Sequence, residues 1–174
     1  SPLYPPDIEA PAPYVKELAT RLSKTHSVTI LTYGELPEQI PNVHIIAISK
    51  KISLVRRLMA FTRTLVQLSR EVDVLIIENG PSVELPTLIA RMVGMRKGLL
   101  HKGDPRSVIR SSRNIFFRIL RTLVEHSVPR TLLGSPNERP EILPFDPYPH
   151  EAFKAYEHSW ASHLFDIETL SKTI

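Results

Sequence analysis

Cysteine is absent from all 174 residues. That excludes disulfide bonds, thiolate metal ligands and cysteine nucleophiles, and it fits a reducing compartment. Glycine is scarce, with six in the chain, and nowhere do they form a G-x-G-x-x-G or Walker loop; H-E-x-x-H is missing too. Ser82, Ser107, Ser111, Ser112 and Ser135 all lack a G-x-S-x-G setting, which leaves no support for a hydrolase triad. No apolar run is long enough to cross a bilayer, and Ser1 opens no cleavable signal pattern. The expected location is cytoplasmic, with attachment to the inner membrane face as the variant. Tryptophan occurs once, at Trp160. Seven histidines are present, but His158 and His163 lie about 140° apart on a helix. They are expected as helix-surface residues, and no metal is expected.

Proline and positive charge are what the chain has in quantity. Its sixteen prolines concentrate at residues 2–13 and 129–149, which predicts extended or turn-rich backbone there. The net charge is +4, unevenly spread. Residues 91–121 hold Arg91, Arg96, Lys97, Lys102, Arg106, Arg110, Arg113, Arg118 and Arg121 against Asp104 alone. Such a stretch suits an anionic partner (phosphate, phospholipid or nucleic acid) or is simply a solvated face. Phe116 and Phe117 are its only aromatic residues, too few for base stacking, so nucleic acid is disfavoured.

The length favours one domain able to bury roughly 70% of its unfolded surface. Along it, helical and strand patterns alternate. Val15, Leu18, Ala19 and Leu22 recur at helical spacing, and residues 28–33 form a β-branched run closed by Gly34. A loop, a helix and a buried strand make most of a βαβ unit whose first strand is not among residues 1–34. A second apolar run covers 43–48. Residues 53–70 give the clearest helix, with Leu54, Leu58, Phe61, Leu65 and Leu68 as its apolar stripe. Arg56, Arg63 and Arg70 repeat every seven residues on the opposite side, with Lys50, Lys51 and Arg57 nearby. That face suits solvent or an anionic membrane surface.

Residues 73–78 read as a buried strand, followed by a helix capped by Ser82 and ended by Gly94. Residues 98–102 form another strand. A helix from Asn114 carries Ile115, Phe116, Ile119, Leu120, Leu123 and Val124 on its apolar side, and 131–133 form a last strand. This order predicts an α/β fold: a Rossmann-like open, mostly parallel sheet flanked by helices. The expected division is a domain at 1–136, a proline-rich linker at 137–149, and a long helix at 150–174 packing back on the domain. Phe153, Tyr156, Trp160, Leu164, Ile167 and Leu170 would form that helix's buried stripe. Gly34, Gly80, Gly103 and Gly134 each follow a predicted strand, so the carboxyl edge of the sheet is the expected ligand crevice. Glu78, Asp104 and Asp7 are the carboxylates that could meet there.

Several of these residues carry a resemblance. Tyr4-Pro5-Pro6-Asp7-Ile8, then Val15-x-x-Leu18-Ala19-x-x-Leu22, then His26-x-Val28-Thr29-Ile30 resemble the opening of GT-B glycosyltransferases of the family 4 type. Those carry P-P-x-x-G-G, V-x-x-L-A-x-x-L and G-H-x-V-T-V, and the pattern extends to about residue 104. The family's paired glycines fall at Glu9 and Ala10. Pro144-Phe145-Asp146-Pro147-Tyr148 and the final helix resemble the segment that returns from the family's second domain.

The resemblance implies an acceptor-side domain without its donor-binding domain. Such a protein would be inactive alone, needing a donor-domain partner chain and, only with it, a sugar nucleotide. Carried over by position, the substrate-binding candidates are Pro6, Asp7, Asn79, Gly80, Lys102, Gly103 and Asp104, with Arg106 and Arg110 as further phosphate contacts. The alternative is a non-catalytic binding or membrane-associated module using Arg56, Arg63 and Arg70. A sheet lacking a central strand also predicts a homo-oligomer formed by strand or helix exchange.

Overall fold

The structure is a computed structural model, and it describes residues 11–78, 81–94, 98–102, 119, 122–124, 126, 130–133 and 150–172. Helix α1 (Pro11–Leu22) starts on the proline whose missing N–H costs nothing in a first turn. Strand β1 (Val28–Tyr33) follows and pairs in parallel with β2 (Val43–Ile48), Val28 opposite Val43 and Tyr33 opposite Ile48. Gly34 ends β1, and its N–H donates to the Ile48 carbonyl at 3.1 Å. Asn42 turns the chain into β2 at φ 62°, a left-handed conformation asparagine tolerates.

Helix α2 (Leu54–Glu71) leads to β3 (Ile76–Glu78), and helix α3 (Pro81–Met92) leads to β4 (Leu99–Lys102). β4 pairs in parallel with β3 on one side and with β5 (Arg130–Leu133) on the other. Helix α4 (His150–Lys172) closes the chain. The described strands therefore form two parallel sheets, β1–β2 and β3–β4–β5, rather than one. The α/β class and the parallel pairing match the sequence expectation. The third strand is shorter than the 73–78 expected, and α3 begins at Pro81, so Ser82 lies within its first turn rather than capping it.

Alternation along the strands sorts the core into two faces. Leu31, Tyr33 and Ile77 join Phe61 and Leu65 of α2 and Val83 and Ala90 of α3. On the other side, Leu99 packs with Tyr14 and Leu18 of α1 and Trp160 and Ile167 of α4. A third cluster, Ala19, Ile30 and Ile40, seats α1 on the β1–β2 sheet. Helix α1 thus bridges both sheets, and α4 lies against α1 as its stripe predicted.

Pro86 sits inside α3 and is fully buried. Proline has no N–H to return to the carbonyl four residues back, which here belongs to Ser82. The Tyr33 hydroxyl donates to that carbonyl at 3.0 Å. A side chain from β1 replaces the lost helical bond and ties α3 to the first sheet.

Some expectations fail. Leu54 is exposed at the start of α2, because the apolar stripe meets the core only from Leu58 onward. Ile119 and Leu123 are exposed, unlike the buried Val124 of the same expected side, while Ile115, Phe116 and Leu120 lie outside the described residues. His163 is buried rather than on the helix surface. It stands three residues after Trp160, and that spacing places both on the face turned toward α1.

Candidate functional site

The carboxyl ends of the strands collect the groups best placed to hold a ligand. Strand β1 ends on Tyr33, β3 on Glu78 and β4 on Lys102. The register sets Glu78 opposite His101 of β4. Glu78 is buried, and so is Glu84 in the first turn of α3. A carboxylate there is favoured by the positive end of the helix dipole.

Helix α1 brings Tyr14 to the same edge. Burial, and then the negative charge of Glu78, push the Tyr14 hydroxyl well above its ordinary value. It shares a hydrogen bond of 2.8 Å with His163 Nε2, and its ring stacks on Trp160 at 5.8 Å between centroids. Arg21, two turns further on, lies over the Trp160 ring at 5.1 Å. Both its terminal nitrogens donate to the Glu157 carboxylate, at 2.9 and 2.6 Å. Bidentate pairing raises the Arg21 pKa and holds the Glu157 carboxyl below its usual range. On the opposite face, burial lifts the Tyr33 hydroxyl to about 12 despite the opposing Arg57 charge. Arg57 lies over the Tyr33 ring at 5.5 Å.

Of the residues singled out from sequence, Lys102 is the terminal residue of β4, opposite Leu133 of β5. Pro6, Asp7, Asn79, Gly80, Gly103 and Asp104 lie outside the described residues, as do Arg106 and Arg110. Arg56, Arg63 and Arg70 are all exposed on α2. Arg57 does not share that outer face, since it packs on Tyr33. Lys51 stands 3.9 Å from Glu35. Glu35 also accepts from Ser49 and the backbone N–H groups of Lys50 and Lys51, which together hold its carboxyl below the usual range.

Sequence reasoning passed over Tyr14 and Glu84, and placed His163 on the helix surface where it is buried. An acid in the first turn of a helix directly after a strand was the available signal for Glu84. Nothing local marks Tyr14, whose partners come from the far end of the chain. Among the described residues no group of three or more histidine, aspartate or glutamate side chains could hold a metal ion, and no helix is long and apolar enough to cross a membrane.

The fold and this edge define an α/β protein with parallel strands and a polar, carboxylate-bearing rim at their carboxyl ends. No protein-family model, curated protein or solved structure matches the chain.

Proposed function

We propose that this chain is the acceptor-side domain of a glycosyltransferase-like protein, built to work with a separate donor-binding domain. The observation that carries the reading is the return of α4 to α1, through the Tyr14–Trp160 stack and the Arg21–Glu157 pair. A two-domain transferase of the resembled type needs such a return after its donor domain. The parallel strands support it by ending on Glu78 and Lys102 at one edge, residue types that can hydrogen-bond sugar hydroxyls or phosphate. The donor nucleotide belongs to the missing partner, so the chain alone turns over no sugar nucleotide. Calorimetric titration with UDP, GDP and their sugar conjugates tests this. Silence is expected, and micromolar binding together with turnover by the lone chain overturns it.

A second reading, attachment to an anionic membrane surface, is favoured by the start of α2. Val55 and Met59 are 64% and 60% exposed, and Ile52 and Leu54 are exposed beside them. Arg56 and Arg63 flank these apolar groups, the combination that seats a helix in a lipid interface. Co-sedimentation with phosphatidylserine vesicles at low salt checks it. An Arg56→Glu, Arg63→Glu variant that sediments as well as the parent removes the reading.

A further inference from the structure

Helices α2 and α3 lie side by side. Their inner sides line a slot of about 440 Å³ between the two sheets, with Phe61 and Leu65 from one helix and Val83 and Thr87 from the other. Their outer sides differ from each other. Two residues along an α-helix turn the side chain by about 200°, onto the opposite face. Leu85, Ile89 and Met92 each come two residues after a buried one, namely Val83, Thr87 and Ala90. They form one stripe at spacings of four and three, and all three are exposed, Met92 by 87%. Val93, just past the helix end, is exposed beside them. The ionisable residues of α3 are Glu84 and Arg91. Glu84 is buried and Arg91 half-buried, so the outer side of α3 is apolar and without exposed charge.

Helix α2 turns cations outward instead. Met59 and Arg63 stand two residues before and after the buried Phe61, and Arg56 and Arg70 continue the same row. All four are exposed. From residue 50 to residue 70 the chain holds no aspartate or glutamate to balance them. An apolar stripe and a basic row thus run beside each other on the outside of one helix layer.

We propose that this layer seats the protein on an anionic lipid bilayer, with the α3 stripe sinking among the acyl chains and Arg56 and Arg63 of α2 pairing with lipid phosphates. The assignment rests on the membrane reading already given for α2, and it moves the deeper contact to α3. An exposed apolar patch with a polar rim marks a protein or a membrane contact, and here charge decides between them. A second copy docking through the same face would bring Arg56 and Arg63 against their own counterparts, and like charges oppose such pairing. A layer of anionic headgroups complements them: each arginine near such a surface adds to the hold, and its planar fork takes a phosphate by two hydrogen bonds. Among the described residues no helix is long and apolar enough to cross a membrane. The contact is therefore interfacial, with the apolar side about 5–10 Å into the boundary between headgroups and chains.

Because the chain has no cysteine, single-site labelling tests the proposal cleanly. Met92→Cys, Met59→Cys and, as a control on the exposed side of α4, Thr169→Cys each carry a nitrobenzoxadiazole dye. Each labelled chain is mixed with phosphatidylcholine vesicles, with and without phosphatidylserine. The dye at Met92 should brighten and move to the blue with phosphatidylserine vesicles, that at Met59 less so, and that at Thr169 not at all. A second, unlabelled variant, Met92→Ser, should keep the parent Tm, since the side chain is exposed, and bind these vesicles about tenfold more weakly. Binding in which the Met92 dye stays in water, or Met92→Ser binding like the parent, overturns the role of α3 and leaves the α2 reading standing. Absence of any binding to phosphatidylserine vesicles overturns both. Equal binding to phosphatidylcholine alone overturns the charge argument and the proposal with it. So does a blue shift at Met92 that grows with protein concentration in buffer, which would mean that a second copy covers the stripe.

Discussion

The two faces of the strands solve the same packing problem with a tyrosine, a second aromatic ring and an arginine, and they differ in how far apart those residues stand in the chain. On one face Tyr33 stacks on Phe61 at 4.6 Å with Arg57 over the tyrosine ring. On the other Tyr14 stacks on Trp160 at 5.8 Å with Arg21 over the indole. The Tyr33 hydroxyl finds its acceptor 49 residues away in Ser82, whereas the Tyr14 hydroxyl meets His163 across 149 residues. By loop-closure entropy alone the longer contact costs about 1 kcal/mol more to form. The α2–α3 face is thus a local structure that can assemble from contiguous chain. The α1–α4 face depends on contacts across 149 residues, so it is expected to form later and to open first.

Trp160→Ala should break this comparison hardest. The indole is fully buried, and its loss removes the stack on Tyr14 and the seat for Arg21. The expected cost is about 3–5 kcal/mol, read from urea denaturation. Exchange should rise first in α4 and α1 while α2 and α3 stay protected. Phe61→Ala, equally buried, should cost a similar amount but expose both sheets together. Uniform loss of protection in both variants would mean the faces are one cooperative unit.

Tyr33→Phe comes next. It strips the Ser82 carbonyl of the donor that stands in for the missing Pro86 N–H, and an unsatisfied carbonyl costs about 1–3 kcal/mol. In a Pro86→Ala background the helix can supply its own bond, so the penalty should shrink; equal penalties in both backgrounds would sink the pairing argument. The same hydroxyl sets an alkaline limit. Its pKa is raised from 10.0 to about 12, so the folded state holds the proton more tightly than the unfolded one. Its contribution is complete below pH 10 and is lost as pH climbs toward 12. A denaturation series over that range should lose part of its slope in Tyr33→Phe, the remainder belonging to Tyr14, whose hydroxyl is also pushed up.

The contrast between the faces also explains what the sequence disclosed. Helix α2 was legible because Leu58, Phe61, Leu65 and Leu68 mark its buried side within one turn-to-turn pattern. Trp160, Leu164, Ile167 and Leu170 marked α4 in the same way, and both stripes pack as their spacing says. Exposure at Leu54 was not legible, since periodicity shows which side is apolar but not where the neighbouring layer stops. His163 was misplaced because a titratable ring reads as surface until its partner, Tyr14, is known to lie opposite. The division of the described strands into two sheets was not legible, since the alternating pattern predicted a single open sheet. At the carboxyl edge Glu78 was named and Glu84 carried a local signal, an acid in the first turn of a helix, while Tyr14 depends on contacts that no local pattern encodes.

Acid should test the weaker tie on the distant face. Arg21 holds the Glu157 carboxyl below its ordinary value of 4.5. The folded state therefore binds that proton less readily, and the contribution is present above about pH 4.5 and fades as pH falls through the lowered value. Glu157 is 41% exposed, so solvent screening keeps the pair under about 1 kcal/mol. Glu157→Gln should flatten the acid limb slightly, by Tm measured from pH 6 to 3, and leave the neutral Tm almost unchanged. A large neutral loss would mean the pair anchors α4 rather than trimming it.

Thr87 gives the smallest and most pointed effect. It lies in α3, lines the slot between the sheets, and is fully buried with its hydroxyl unpartnered among the described residues. A buried hydroxyl without a partner has already lost its hydration, so Thr87→Val keeps the shape and removes that penalty. The expected change is between zero and about 1 kcal/mol of stabilisation, visible as a small rise in the urea midpoint. A destabilised Thr87→Val would instead mean that water in the slot bonds this hydroxyl. The variant thus separates a dry slot from a solvated one.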